Sequence, residues 1–256
     1  MDLEGDGEPA RRRRQAHGRE DLRRLGCDSA DDSDDVKPSV LVFDVNETLL
    51  DLSPLEIDFE DVFGSRKPMG EWFARMLHGA LVANQLDEYR AFGVIGVEAL
   101  LLVAERHGVK LDEATATEIV TRLAILPAHL DVIPALERLL DAGFRTAALT
   151  NGSTKAANVQ IENAGLHTFI QRVISVEEVG RFKPDPATYH HAAKAMDVDT
   201  SNSMLISAHD WDVAGAIKAG AQGAFLERPG SLWSLPTTMP ETTGADLRDI
   251  ADQLIG

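Results

Sequence analysis

The sequence predicts a doubly wound α/β fold, Rossmann-like, with a helical cap inserted after the first strand of a parallel sheet. Three observations carry that expectation. Short apolar runs rich in β-branched residues alternate with helix-period segments from about residue 130 onward, as parallel strands joined by helical crossovers do. Four such runs end in polar residues, where open α/β sheets bind ligands. Between about Leu52 and Leu130 no strand signal occurs, so that block reads as helices alone. The expected division is a disordered extension over 1–36, a core over 37–52 and 131–256, and a cap over 53–130.

In chain order, Arg11–Arg14 and the acidic run 28–35 have almost no apolar residues between them, too few to offset the entropy of ordering. Val40 to Phe43 is a continuous apolar run and reads as a strand buried on both faces. Met69, Trp72, Phe73, Met76, Leu77 and Ala80 share one face at spacings of three and four, which predicts a helix. A second helix is expected over Asp87 to His107, before Gly108, and a third over Leu111 to Leu126. The core then resumes with a helix over Val132 to Ala142 closed by Gly143, a strand Arg145 to Leu149, and a helix Thr154 to Ala164. Strand Val173 to Ser175, helix Pro186 to Met196, strand Met204 to Ser207, helix Val213 to Ala219 and strand Ala221 to Leu226 complete the alternation.

Composition narrows the function classes. Hydrophobic residues make up 44% of the chain, enough for a sizeable core. A formal charge of −17 argues against nucleic acid or an anionic membrane surface as the partner. No run approaches the ~18 apolar residues of a membrane span. The one cysteine, Cys27, fits a reducing cytoplasm.

Asp44, Thr150 with Asn151, Lys183 and Asp212 stand at or just beyond strand ends, and in a parallel sheet those ends share one edge. Two carboxylates with one lysine form a coherent set, the ammonium favouring the ionised form of both acids. Asp44 reads either as a nucleophile or as a cap for the next segment. Thr48 and Asn151 supply hydrogen bonds, and backbone N–H groups near Asn46 and after Asn151 can hold an anion. His209 is either a loop histidine or an acid–base group, and Trp211 reads as packing.

The segments DVNETLLD, LTNGS, FKPDPATY and SAHDWDVAGA resemble, in order and spacing, the four motifs of the haloacid dehalogenase superfamily. They are most similar to its type II L-2-haloacid dehalogenase branch. The resemblance implies displacement of halide from a small 2-haloacid by Asp44, then hydrolysis of the resulting ester by water activated by Asp212, with Lys183 orienting both acids. It places Thr48, Thr150 and Ser207 on the nucleophile or the substrate carboxylate, Asn151 at the departing halide and Tyr189 along the site. It implies no metal or organic cofactor, and makes a homodimer an expectation. Asn46 stands where the superfamily's phosphatases carry a general acid, and Ala208 where they carry a further metal ligand. Phe73 follows Trp72 where the branch has an arginine, and His209 replaces its fourth-motif asparagine, so His209 or a cap cation such as Arg66 is left to serve the halide. Two alternatives stay open: a Mg²⁺-dependent phosphatase of the same fold, and a non-catalytic binding member.

Overall fold

The computed structural model describes residues 37–236 and 238–256, so the expectation for 1–36 lies outside the described residues. Strands β1 (Val40–Phe43), β2 (Arg145–Thr150), β3 (Arg172–Ser175), β4 (Ser203–Ser207), β5 (Gln222–Leu226) and β6 (Thr242–Gly244) form one sheet. Its order is β3-β2-β1-β4-β5-β6, and each neighbouring pair is parallel. All residues of β1 and β4 are buried, as central strands covered on both faces require. Strand order reverses between β1 and β4, so the crevice outside their carboxyl ends is the switch point of the sheet. There the Asp44 amide donates to the Ile206 carbonyl at 3.0 Å, joining the two strand ends.

Between β1 and the core helix α5 (Val132–Asp141) the chain carries α1 (Glu56–Phe63), α2 (Pro68–Leu86), α3 (Phe92–Arg106) and α4 (Glu113–Thr121). The two chain segments bounding this block are paired: Asp51 N donates to Pro127 O at 2.9 Å, and His129 N to Leu49 O at 3.0 Å. Within it, Trp72 donates its indole N–H to Gly96 O at 2.9 Å. A Cβ on Gly96 would sit 2.8 Å from Met76 Sδ, so glycine is what lets α3 approach α2 this closely.

Helices α6 (Thr154–Asn163), α7 (Pro186–Ala195), α8 (Asp210–Lys218) and α9 (Leu247–Ile255) follow the strands. Ser153, Asp185 and Asp246 cap α6, α7 and α9 by accepting backbone N–H bonds.

The structure corrects the sequence reading at five elements. The second helix starts at Phe92 rather than Asp87, because Asp87 closes α2 in the left-handed conformation at φ 59°. α8 begins three residues before Val213, since Asp210 and Asp212 are first-turn acids favoured at a helix N-terminus. α1 falls in the block read as helical but has no bounds of its own in that reading, and β6 and α9 have no expectation. Among the described residues no helix is long and apolar enough to cross a membrane.

Candidate active site

β1, β4, the loop after β3 and α8 bring Asp44, Lys183 and Asp212 together. Lys183 Nζ lies 2.7 Å from Asp44 Oδ1 and 2.7 Å from Asp212 Oδ2, and also donates to Leu149 O at 3.2 Å. All three side chains are buried. Burial alone would raise the Asp44 carboxyl, but the Lys183 ammonium, with His209 and hydrogen bonds from Lys183 and Thr48, holds it below its ordinary value. Burial would likewise depress the Lys183 amine, yet Asp212 and Asp44 outweigh it and hold the amine above its ordinary value. The nucleophile candidate is thus ionised and its neighbour charged.

Thr48 and Tyr189 complete the carboxylates' hydrogen bonding. Thr48 Oγ1 donates to Asp44 Oδ2 at 2.7 Å and accepts from Ala208 N at 2.9 Å. Tyr189 donates to Asp212 Oδ1 at 2.7 Å. Burial and the Asp212 charge push the Tyr189 phenol well above its ordinary range, so it stays a donor. A Cβ on Gly215 would lie 2.4 Å from Pro184 Cβ and 2.7 Å from the Tyr189 hydroxyl, so a glycine lets α8 pass beneath this pair.

The other strand-end residues divide. Asn151 Oδ1 accepts from Lys183 N at 2.9 Å, and its amino group has no acceptor among the described residues. Thr150 Oγ1 and Ser207 Oγ accept the amides of Gly152 and His209 at 3.0 and 3.1 Å, as turn-holding hydroxyls. Asn46 points elsewhere: its Oδ1 accepts from Gln160 Nε2 at 2.9 Å, and the same amino group bonds Leu123 O at 3.0 Å. His209 Nε2 lies 3.6 Å from Asp44 Oδ2 and 3.6 Å from Glu47 Oε2. Its ring stacks with Phe73 at 6.0 Å and with Trp211 at 5.3 Å between centroids. Phe73 therefore meets the site through His209. Arg66 is away from it, paired with Glu56 and Glu60.

Several contributors escaped sequence reasoning. Glu47 adopts φ 63° beside His209, and burial, with Asp44 adding and His209 opposing, holds its carboxyl above the ordinary value. The polar turn Asn46-Glu47-Thr48 was the only signal for it. Arg228 and Asp131 form a buried pair under Thr48, and Asn84 of α2 reaches the Lys183 loop; isolated polar residues in these contexts carry no local signal.

A cavity of about 230 Å³ adjoins Lys183 and Asn151, walled by Ala74, Leu77 and Leu81 of α2 and by Trp211 of α8. That is below the about 300–1,000 Å³ of drug-sized sites and suits a small ligand with an apolar body. A larger groove of about 580 Å³ runs along α6 and β3, but none of the strand-end residues lines it.

The donor set does not fit Mg²⁺. The Lys183 ammonium sits between the two carboxylates where a cation would lie, and Ala208 offers no side-chain oxygen. Among the described residues, no three His, Cys, Asp or Glu side chains cluster as a metal site.

Comparison with known proteins agrees with this geometry. A sequence model of the haloacid dehalogenase-like hydrolases matches residues 38–220, a span holding Asp44, Lys183 and Asp212. (S)-2-haloacid dehalogenase H-109 of Pseudomonas putida is 26% identical over 217 residues, which is 84% of this chain and 97% of that protein. (S)-2-haloacid dehalogenase 2 of Pseudomonas sp. strain CBS-3 is 29% identical over 157 residues, 61% of this chain and 69% of the other. The crystal structure of the L-2-haloacid dehalogenase RSc1362 has a TM-score of 0.82 at 23% identity, covering 86% of this chain and 100% of that one. This last likeness speaks for the fold.

Proposed function

This chain belongs to the haloacid dehalogenase-like hydrolases, and within them we propose that it hydrolyses the carbon–halogen bond of small 2-haloacids through an ester on Asp44, without a metal. One observation carries the reading: an ionised, lysine-paired Asp44 has Asn46, tied to Gln160, where a leaving alkoxide would need an acid. A halide needs no proton to depart, whereas an alkoxide does. The names of the curated relatives point the same way.

In the first step an Asp44 oxygen attacks C2, the carbon–halogen bond breaks, and its electron pair leaves with the halide. The free amino group of Asn151, beside the cavity, is a donor for that developing anion. The apolar walls pack against the carbon atoms of the acid.

In the second step water attacks the ester carbonyl. The resemblance gives water activation to Asp212, but both Asp212 oxygens are engaged and the side chain is fully buried. His209 is better placed, facing Asp44 on one side with Glu47 to pair the imidazolium. It takes one proton from water and returns it to the departing 2-hydroxy acid, the other proton of the water going to solvent. Asp212 and Tyr189 then serve to hold Lys183. We extend the reading to residues 53–130 as a cap over the crevice, to a cytoplasmic setting and to a homodimer. Exposed Val82 and Leu86 on α2 support the last.

Single turnover in ¹⁸O-labelled water with a 2-chloro or 2-bromo acid tests the mechanism. The expected result is one label in the peptide holding Asp44, with halide release unaffected by chelator. Label passing directly into the product acid, or activity that requires Mg²⁺, overturns it.

A further inference from the structure

We infer that Arg228, braced by Asp131, is a positioning residue for the nucleophile that acts through Thr48; the inference rests on Asp44 being that nucleophile. Arg228 lies just beyond β5 and is 8% exposed. Its Nε and Nη2 both donate to the Thr48 carbonyl, at 3.2 and 2.9 Å, from 180 residues away in sequence. Its Nη1 donates to Asp131 Oδ1 at 2.7 Å, and Asp131 Oδ2 accepts the Leu247 amide at 2.7 Å. The guanidinium therefore faces the Thr48 peptide with a planar fork, which fixes direction as well as distance.

What this fixes is a single proton. The Thr48 hydroxyl has one hydrogen, and the Ala208 amide already donates into its oxygen at 2.9 Å. With Ala208 in place, the hydrogen is directed at Asp44 Oδ2, 2.7 Å away. Rotation of the Thr48 peptide would swing the hydroxyl off both partners. The turn carrying it is held by the Leu49 and Leu50 amides, which both donate to Val45 O at 3.0 Å, and includes Glu47 at positive φ. Those bonds hold the amide side of the Thr48–Leu49 peptide, and Arg228, from just beyond β5, holds its carbonyl side. A lysine would keep the charge but present no fork.

A purely structural role is the competing account, because Asp131 also docks α9 through Leu247. The test compares Arg228→Lys, Thr48→Val and the double variant by amide hydrogen exchange, kcat and KM. Arg228→Lys is expected to speed exchange at the Ala208 amide at least about tenfold, as a released hydrogen bond does. It should lower kcat by about tenfold with KM within about twofold, the pattern of an interaction made in the transition state. In the Thr48→Val background the same change should cost less than about twofold, since coupled residues are non-additive. Faster exchange at Leu247 and α9 with Ala208 and kcat unchanged overturns the inference, as do independent, multiplying effects. If Arg228→Lys does not fold, Asp131→Asn is read instead: faster Ala208 exchange supports the role and wild-type exchange there rejects it. A wild-type enzyme that releases no halide removes the dehalogenase reading alone, because the exchange measurement needs no substrate.

Discussion

Asn84 pairs with Phe182 as one peptide pairs with another: its Nδ2 donates to Phe182 O at 2.8 Å, and Phe182 N donates to its Oδ1 at 2.8 Å. Through this side chain, α2 grips the backbone one residue before Lys183. Arg181 adds a bond to Asn84 O at 2.9 Å and an ion pair with Asp87 at 2.7 Å. The insert and the lysine loop are thus joined by three hydrogen bonds and an ion pair.

Asn84→Asp keeps the shape but cannot donate to Phe182 O. It should cost about 1–3 kcal/mol, the range for a part-buried group left unsatisfied, and reduce kcat. Thermal unfolding and steady-state kinetics check this; wild-type stability in Asn84→Asp would show that the clasp is incidental.

Tyr189→Phe removes the donor to Asp212 Oδ1. A hydrogen bond to a charged group contributes about 1.5–3 kcal/mol, so the variant should unfold at lower denaturant. Its kcat should fall more than its affinity for substrate, because Asp212 then holds Lys183 less firmly. A rise in KM alone would instead place the hydroxyl on the substrate.

His209→Ala separates the two steps. If His209 serves ester hydrolysis, the variant should release one equivalent of halide in a burst and then stall, with the ester detectable by mass on the Asp44 peptide. A variant that loses the burst as well would assign His209 to carbon–halogen cleavage.

Acid should unfold the protein partly through Asp131. Burial would raise this carboxyl, but hydrogen bonds from Arg228 and the Leu247 amide, with the Arg228 charge, hold it below its ordinary value. The unfolded chain binds a proton at about pH 3.9 and the folded chain only below that, so protonation favours unfolding. The contribution is complete well above the unfolded pKa and lost as pH falls through the folded one. Calorimetry from about pH 6 to pH 3 should show a shallower fall in Tm for Asp131→Asn than for wild type. An equal slope would mean that other carboxylates, Asp44 among them, dominate.

The residues that could be read in the sequence are those with a local signature. Val40–Phe43 and Met204–Ser207 announce buried strands by continuous apolar character, and Asp44 stands out because a polar residue closes such a run. β6 was too short, at three residues, to show any period. α9 has an apolar face in Leu247, Ile250 and Ala251 at helical spacing, a local signal of the kind that periodicity carries.

The sequence by itself determined five of the six strands of the sheet, the helical block after the first strand, and the set of carboxylates and lysine at one edge. Only the tertiary structure decided that Asn46 turns to Gln160, that His209 lies between Asp44 and Glu47, and that Arg228 reaches the Thr48 carbonyl. The physical reason is range. Periodicity and capping act over one helical turn or one strand, whereas these contacts depend on strand order and register, which bring together residues more than 100 positions apart.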